Sequence, residues 1–236
     1  MIAEILKNWC ADNDMGITDE QLADFERYAE LLKEWNEKMN LTAITDDEGI
    51  AVKHFADSIS ILEYARIKNG ANVIDIGTGA GFPGIPLKIM RPDIRLTLLD
   101  SLNKRLVFLR EVCGSLGIEA ELVHDRAEVR ALDPEYREKF DTAVSRAVAN
   151  LPALCEYCLP YVKTGGSFIS MKGPDGINEI KTAENAVRLL GGKQPEIKKF
   201  ELPGDSTRTI IIIEKISATP KKYPRRGQKI NKSPIL

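Results

Sequence analysis

The residues best suited to chemistry are in one stretch, Val73-Ile74-Asp75-Ile76-Gly77-Thr78-Gly79-Ala80-Gly81-Phe82-Pro83-Gly84. A β-branched run leads into a glycine turn and then a helix. Glycines at such a turn let the backbone approach a ligand closely and adopt positive φ. About twenty residues on, Asp100 ends the next apolar run, where a doubly wound sheet places a carboxylate against ribose hydroxyls. The pattern implies a nucleoside ligand. A dinucleotide site wants a third glycine at the position held here by Phe82, because that glycine lets the helix pack beneath a pyrophosphate. Asp75, inside the strand, is read as a carboxylate near the loop, which suits a cationic ligand and repels a pyrophosphate. S-adenosylmethionine, carrying an ammonium and a sulfonium, fits better than NAD.

Positioning these residues requires a parallel sheet. Short β-branched runs at Val73–Ile76, Leu96–Leu99, Leu122–His124, Thr142–Val144, Ser167–Met171 and Ile210–Ile213 alternate with longer helical segments. That alternation predicts an α/β, doubly wound, mostly parallel Rossmann-like sheet with crossover helices over residues 69–218. Residues 1–68 read as a helical extension. Thr18 with Gln21 and Thr45 with Glu48 match capping boxes, and apolar stripes follow each, at Leu22, Phe25, Ala29 and Leu32 and at Ala51, Phe55, Ile59 and Leu62.

Other candidates sit at strand ends. Arg146 closes a central strand, where open α/β sheets bind ligands, and is a contact to cofactor or substrate. By the same logic Lys172 is a phosphate contact, with Arg208 a weaker one. His54, Asp57 and Ser58 share one helical face. A His near an Asp is most often a structural pair, so no catalytic role is assigned to them. Cys155 and Cys158 form C-x-x-C, but Cys10 and Cys113 supply no second ligand pair, so all four read as core thiols and no metal site is expected.

The net charge of −2 excludes a whole-molecule basic field. It conceals segregation. Residues 219–236 hold Lys221, Lys222, Arg225, Arg226, Lys229 and Lys232 with no acid, leaving about −8 for the rest. This basic tail, with Pro220, Pro224 and Pro234 and no apolar periodicity, is expected to be extended or disordered when alone. Its cations and Tyr223 suit RNA phosphate and stacking contacts. The N-terminus lacks the apolar stretch of a signal peptide, and no apolar run approaches the ~20 residues that span a bilayer, so a cytoplasmic location is expected.

Asn40-Leu41-Thr42, His54 to Ser58, Asp75 to Pro86, Leu99-Asp100-Ser101 with Lys104-Arg105 and Phe108-Leu109, Ser145-Arg146-Ala147, Met171-Lys172-Gly173 and Thr219 to Pro224 together carry a resemblance. The sequence resembles the class I S-adenosylmethionine-dependent methyltransferases and, within them, the RsmG (GidB) family, which methylates N7 of a guanine in bacterial 16S ribosomal RNA. The resemblance implies cofactor contacts at Gly77, Phe82, Ala127, Glu128 and Arg146; Asp75, Gly79 and Asp100 join them from the loop and strand-end arguments. It also implies 16S rRNA, the 30S subunit or an assembly intermediate as partner, with no membrane involved and the protein a monomer. Guanine N7 bears a lone pair and no proton, so the reaction needs positioning rather than a general base. The (Asp/Asn)-Pro-Pro-aromatic motif of exocyclic-amine methyltransferases is absent where Ser145-Arg146-Ala147 stands. A small-molecule methyltransferase, an NAD(P)-dependent oxidoreductase, which Phe82 disfavours, and a non-catalytic RNA-binding domain are the competing readings.

Overall fold

The computed structural model describes residues 1–146, 148–204 and 206–236. Seven strands form one sheet in the order β3-β2-β1-β4-β5-β7-β6. Its strands are β1 (Asn72–Ile76), β2 (Arg95–Asp100), β3 (Ala120–His124), β4 (Phe140–Arg146), β5 (Val162–Lys172), β6 (Glu196–Leu202) and β7 (Ser206–Glu214). The first five are parallel, with Asp75 opposite Leu98 on β2 and Val144 on β4; β7 runs antiparallel to both β5 and β6. All six expected strands form. The seventh, β6, is an edge strand whose four charges among seven residues hide its alternation, and such charges blunt an open sheet edge.

The helices are α1 (Ile2–Asp12), α2 (Asp19–Met39), α3 (47–64, with a π-helical middle, Ile50–Ala56), α4 (Gly84–Met90), α5 (Asn103–Leu116), α6 (Ala127–Arg130), α7 (Leu151–Cys158), α8 (Asn178–Leu189) and α9 (Gly227–Lys232). Thr18 and Gln21 form the expected capping box of α2. The second box does not form. Asp46, not Thr45, caps α3 by accepting from the Gly49 amide at 2.7 Å, a carboxylate one residue further on being the better acceptor for the free N–H groups.

A core lies on each face of the sheet. On one face α1, α2 and α3 pack with α4 and α5, so the apolar stripes of the helical extension and the sheet share a single interior. On the other, α7 and α8 cover β4, β5 and β7 and are joined by Tyr223, Ile230 and Ile235 of the basic tail. The tail is therefore folded onto the protein, contrary to the expectation from its composition. Three isolated apolar side chains suffice because interior polar groups receive the chain between them. Arg137 donates to the carbonyls of Thr219 at 2.8 Å and Tyr223 at 2.9 Å, and Arg225 pairs with the fully buried Glu156 at 2.6 Å. The wholly buried Lys215 ammonium donates to Thr219 Oγ1 and the Leu159 carbonyl, both at 2.7 Å.

Candidate active site

The glycine loop leaves β1 at Ile76 and is held from below and from outside. Gly77 and Thr78 donate to the Leu99 carbonyl of β2, and Ser145 of β4 donates to that of Ile76. Gly77, Gly79 and Gly81 adopt φ of +71°, +63° and +98°, where an L side chain is strained. At Gly81 a Cβ would meet the Tyr28 hydroxyl at 2.5 Å and Leu109 at 2.9 Å, because α2 and α5 press against the loop. Tyr28 itself donates to the Ala80 carbonyl. The helical extension is thus the outer brace of the loop.

Phe82 belongs to that brace. Its ring, 6% exposed, stacks on Tyr28 with centroids 5.4 Å apart and on His54 at 4.6 Å. A glycine at this position would leave a hole between α2, α3 and the loop. The Arg146 guanidinium lies 4.9 Å from the centroid of the same ring.

Asp75 does not reach ligand space. It is fully buried beneath the loop, where one oxygen accepts from Thr78 Oγ1 at 2.7 Å and from the Gly84 amide at 2.9 Å, and the other has no partner among the described residues. Burial pushes its carboxyl up to about 6. The expectation that it faces a cationic ligand is replaced by a structural role: it ties the loop to the start of α4.

A cavity of about 680 Å³ opens above the C-terminal ends of the strands, at the point where the chain order reverses between β1 and β4. Gly77, Gly79, Phe82, Asp100, Glu128 and Arg146 border it, as does Ala127. Seven of the eight residues expected around a cofactor are therefore brought together; Asp75 is the exception. Asp100, only 1% exposed, accepts from the Gly79 amide at 2.9 Å, from the Leu102 amide at 2.9 Å and from Arg105 at 3.1 Å. A carboxylate has about four acceptor positions, and the fourth here is met only by Arg105 at 3.5 Å, a contact long enough for a ligand hydroxyl to replace. Glu128 is 8% exposed and accepts no hydrogen bond from the described residues. It has capacity to spare at the cavity edge.

Arg146 is fixed by Asp57 and its neighbours. It donates to Asp57 Oδ2 at 3.0 Å and to Ser58 Oγ and the His54 carbonyl at 3.3 Å, so the shared face of His54, Asp57 and Ser58 is the seat of this arginine. Arg208 donates to the other Asp57 oxygen at 3.1 Å. Lys172 is turned inward, donating to Glu179 at 2.9 Å and to the Ala149 carbonyl at 2.5 Å. Neither Arg208 nor Lys172 borders the cavity, and each is held by an acidic partner. His54 faces Thr42 Oγ1 at 2.8 Å, and burial, then the nearby Arg146 charge, pushes its imidazole down to about 4. It is a neutral wall. Ala147 of the Ser145-Arg146-Ala147 motif lies outside the described residues.

Sequence reasoning missed the tail's share. Gly227, Gln228 and Asn231 border the cavity, close to Glu128 and Tyr157. The signal available was Gly227 itself, where a Cβ would overlap the Glu128 carboxylate.

The profile of the GidB family, rRNA small subunit methyltransferase G, matches residues 21–210. The chain belongs to this family. It is 51% identical over 233 residues to the ribosomal RNA small subunit methyltransferase G of Alkaliphilus metalliredigens, covering 98% of each chain. Identity is 52% over 223 residues with the protein of the same name from Acetivibrio thermocellus, covering 94% of this chain and 91% of that one. Among solved structures, a methyltransferase from Pyrococcus furiosus aligns with TM-score 0.55 at 14% identity over 81% of this chain and 98% of its own. A SAM-dependent O-methyltransferase from Thermotoga maritima gives TM-score 0.55 at 14% identity, over 80% and 72% of the two chains. These two share the fold. The α/β sheet with helices on both faces and the N-terminal helical extension agree with the sequence expectation.

Proposed function

We propose that the protein transfers a methyl group from S-adenosylmethionine to N7 of a guanine in 16S ribosomal RNA. The observation that carries the cofactor reading is the pairing of Gly79 with Asp100. A Cβ on Gly79 would meet nothing nearer than 4.0 Å, so the backbone faces open space, and a nearly buried carboxylate stands one strand over, one of its acceptor positions met only by a 3.5 Å contact from Arg105. This is a cradle for a nucleoside with an attached chain. Gly77 and Gly79 would lie along the amino-acid portion, Asp100 and Glu128 would accept ribose hydroxyls, and Ala127 would flank the base. Phe82 acts behind the loop, shaping it.

When bound, the cofactor supplies an electrophilic methyl carbon on a sulfonium. The protein's own task is to hold guanine N7 in line with it at near-attack distance. Arg146, clamped by Asp57 and Phe82 at the cavity edge, is the cation placed to orient the base. No proton has to leave N7, and the neutral His54, already engaged by Thr42, serves as a wall beside that arginine. The exposed cations of the tail, Lys221, Lys222, Arg226, Lys229 and Lys232, suit RNA phosphates. Tyr223 does not suit stacking, since its ring is 8% exposed and part of the second core. The protein would act as a monomer on 16S rRNA, the 30S subunit or an assembly intermediate. No helix among the described residues is long and apolar enough to cross a membrane.

Calorimetric titration with S-adenosylmethionine and with NAD tests the cofactor assignment. Binding of the first alone is expected; binding of NAD alone would reject it.

A further inference from the structure

The C-terminal segment forms part of the cavity wall and is locked there from inside. Gly227, Gln228 and Asn231 border the same space as Gly79 and Asp100. Arg225, two residues before Gly227, donates from its backbone and side chain to the buried Glu156 at 2.6 and 2.9 Å. Ile230, between Gln228 and Asn231, is fully buried in the second core. Tyr157 donates its hydroxyl to Asn231 Oδ1 at 3.2 Å. The close seat of Gly227 on Glu128 completes the attachment.

Strand order tells which part of a ligand meets this wall. The glycine loop follows β1, Asp100 ends β2, and the stretch from Asp125 to Glu128 follows β3; the strands lie side by side in the order β1-β2-β3. A ligand whose amino-acid part rests on the loop and whose ribose meets Asp100 must direct its base past β2, toward β3. Ala127, and Gly227 seated against the neighbouring Glu128, stand toward that end. The remaining tail groups there are neutral amides. Asn231 has its oxygen committed to Tyr157, which leaves its NH₂ donors, while the Gln228 amide makes no hydrogen bond to the described residues and offers both a donor and an acceptor. An adenine edge presents an exocyclic amine donor beside ring-nitrogen acceptors, the complement of such amides.

We propose that Gln228 and Asn231 read the adenine of the cofactor, so that the C-terminal segment is a wall of the active site as well as a carrier of RNA-facing cations. The proposal rests on the S-adenosylmethionine reading of the cavity. It adds that base specificity comes from a segment outside the sheet.

The test uses full-length Gln228→Ala, Asn231→Ala and the double variant. Affinities are measured by calorimetry for S-adenosylhomocysteine and for its analogue with hypoxanthine in place of adenine, with Asp100→Ala in parallel and a melting curve for each protein. Wild type is expected to prefer the adenine form by about tenfold or more. The double variant should lose about tenfold on that form and most of the preference, while Asp100→Ala should weaken both ligands alike and keep the preference. Variants that retain wild-type affinity and preference while Asp100→Ala is weakened would overturn the proposal and leave the cofactor reading standing. Failure of the wild type to bind either ligand would overturn the cofactor reading itself. Melting temperatures separate a lost contact from a loosened tail: if Asn231→Ala melts early, Gln228→Ala, whose side chain is exposed, decides alone.

Discussion

Arg146 donates to Asp57 at 3.0 Å in a setting where the carboxylate side chain is 5% exposed, and the other Asp57 oxygen is taken by Arg208. One buried acid therefore fixes the arginine that enters the cavity. Replacing Asp57 with Ala leaves two guanidinium groups without the carboxylate they share. We expect a loss of roughly 3–5 kcal/mol in stability, as for other broken buried pairs, visible in a denaturant titration. Asp57→Asn should keep the fold better and still lower methyl transfer, because the orientation of Arg146 is loosened. Full activity in a folded Asp57→Asn protein would count against a positioning role.

Gly79 provides a second test. Its φ of +63° faces open space, so Ala there costs backbone strain of about 1 kcal/mol and no collision. Gly79→Ala should fold and bind S-adenosylmethionine at least about tenfold more weakly, since the new methyl group occupies room assigned to the ligand. At Gly77 the same change would meet Val148 at 2.7 Å, so a fault there would mix local strain with lost binding.

The pH behaviour of His54 follows from its burial. Its folded-state value, about 4, lies below the ordinary 6.5. The stability this neutral imidazole contributes is present above pH 6.5 and is lost as pH falls toward 4. NMR titration of the ring should show no protonation between pH 8 and 5. A midpoint near 6.5 would mean that the ring is not held as described. Methyl-transfer rates in single turnover should likewise show no His54-dependent base ionisation.

Much of this was legible in the residues. The change from a helical extension over 1–68 to short β-branched runs from Val73, the glycine loop and Asp100 one strand later located the cavity, because a parallel sheet brings its C-terminal strand ends together whatever the intervening helices. Three things were not. Asp75 reads like a ligand because nothing in sequence says whether an inward strand position faces ligand or loop backbone. Lys172 and Arg208 sit at a strand end and start as expected, but their acceptors, Glu179 and Asp57, are set by tertiary packing. The tail looked unstructured because its anchors Glu156 and Arg137 belong to distant segments, and Lys215, four residues before Thr219, is itself buried only by tertiary packing.

The anchored tail divides its cations into two kinds. Lys221, Lys222, Arg226, Lys229 and Lys232 are exposed, whereas Arg225 is paired with Glu156, which is 0% exposed. Changing an exposed one to Gln should leave the melting temperature alone. If it contacts phosphate, the log–log salt dependence of RNA binding becomes shallower by roughly 0.7–0.9. Arg225→Gln should instead destabilise by roughly 3 kcal/mol, since it strands a buried carboxylate. Deleting 219–236 would remove both kinds together with three cavity-lining residues, so weakened cofactor binding is expected of the truncation. Equal melting temperatures for Arg225→Gln and wild type would show the tail to be loosely held.

The central claim is that this cavity delivers a methyl group to guanine N7 of small-subunit rRNA. The most direct measurement incubates the protein with isotopically labelled S-adenosylmethionine and, separately, 30S subunits and naked 16S rRNA isolated from cells lacking the enzyme. The RNA is then digested to nucleosides for mass spectrometry. The account predicts label in N7-methylguanosine from at least one of the two substrates, abolished by Gly79→Val. Label on an exocyclic amine, a ribose hydroxyl or a pyrimidine carbon, or none on either RNA from a protein that binds the cofactor, would contradict it.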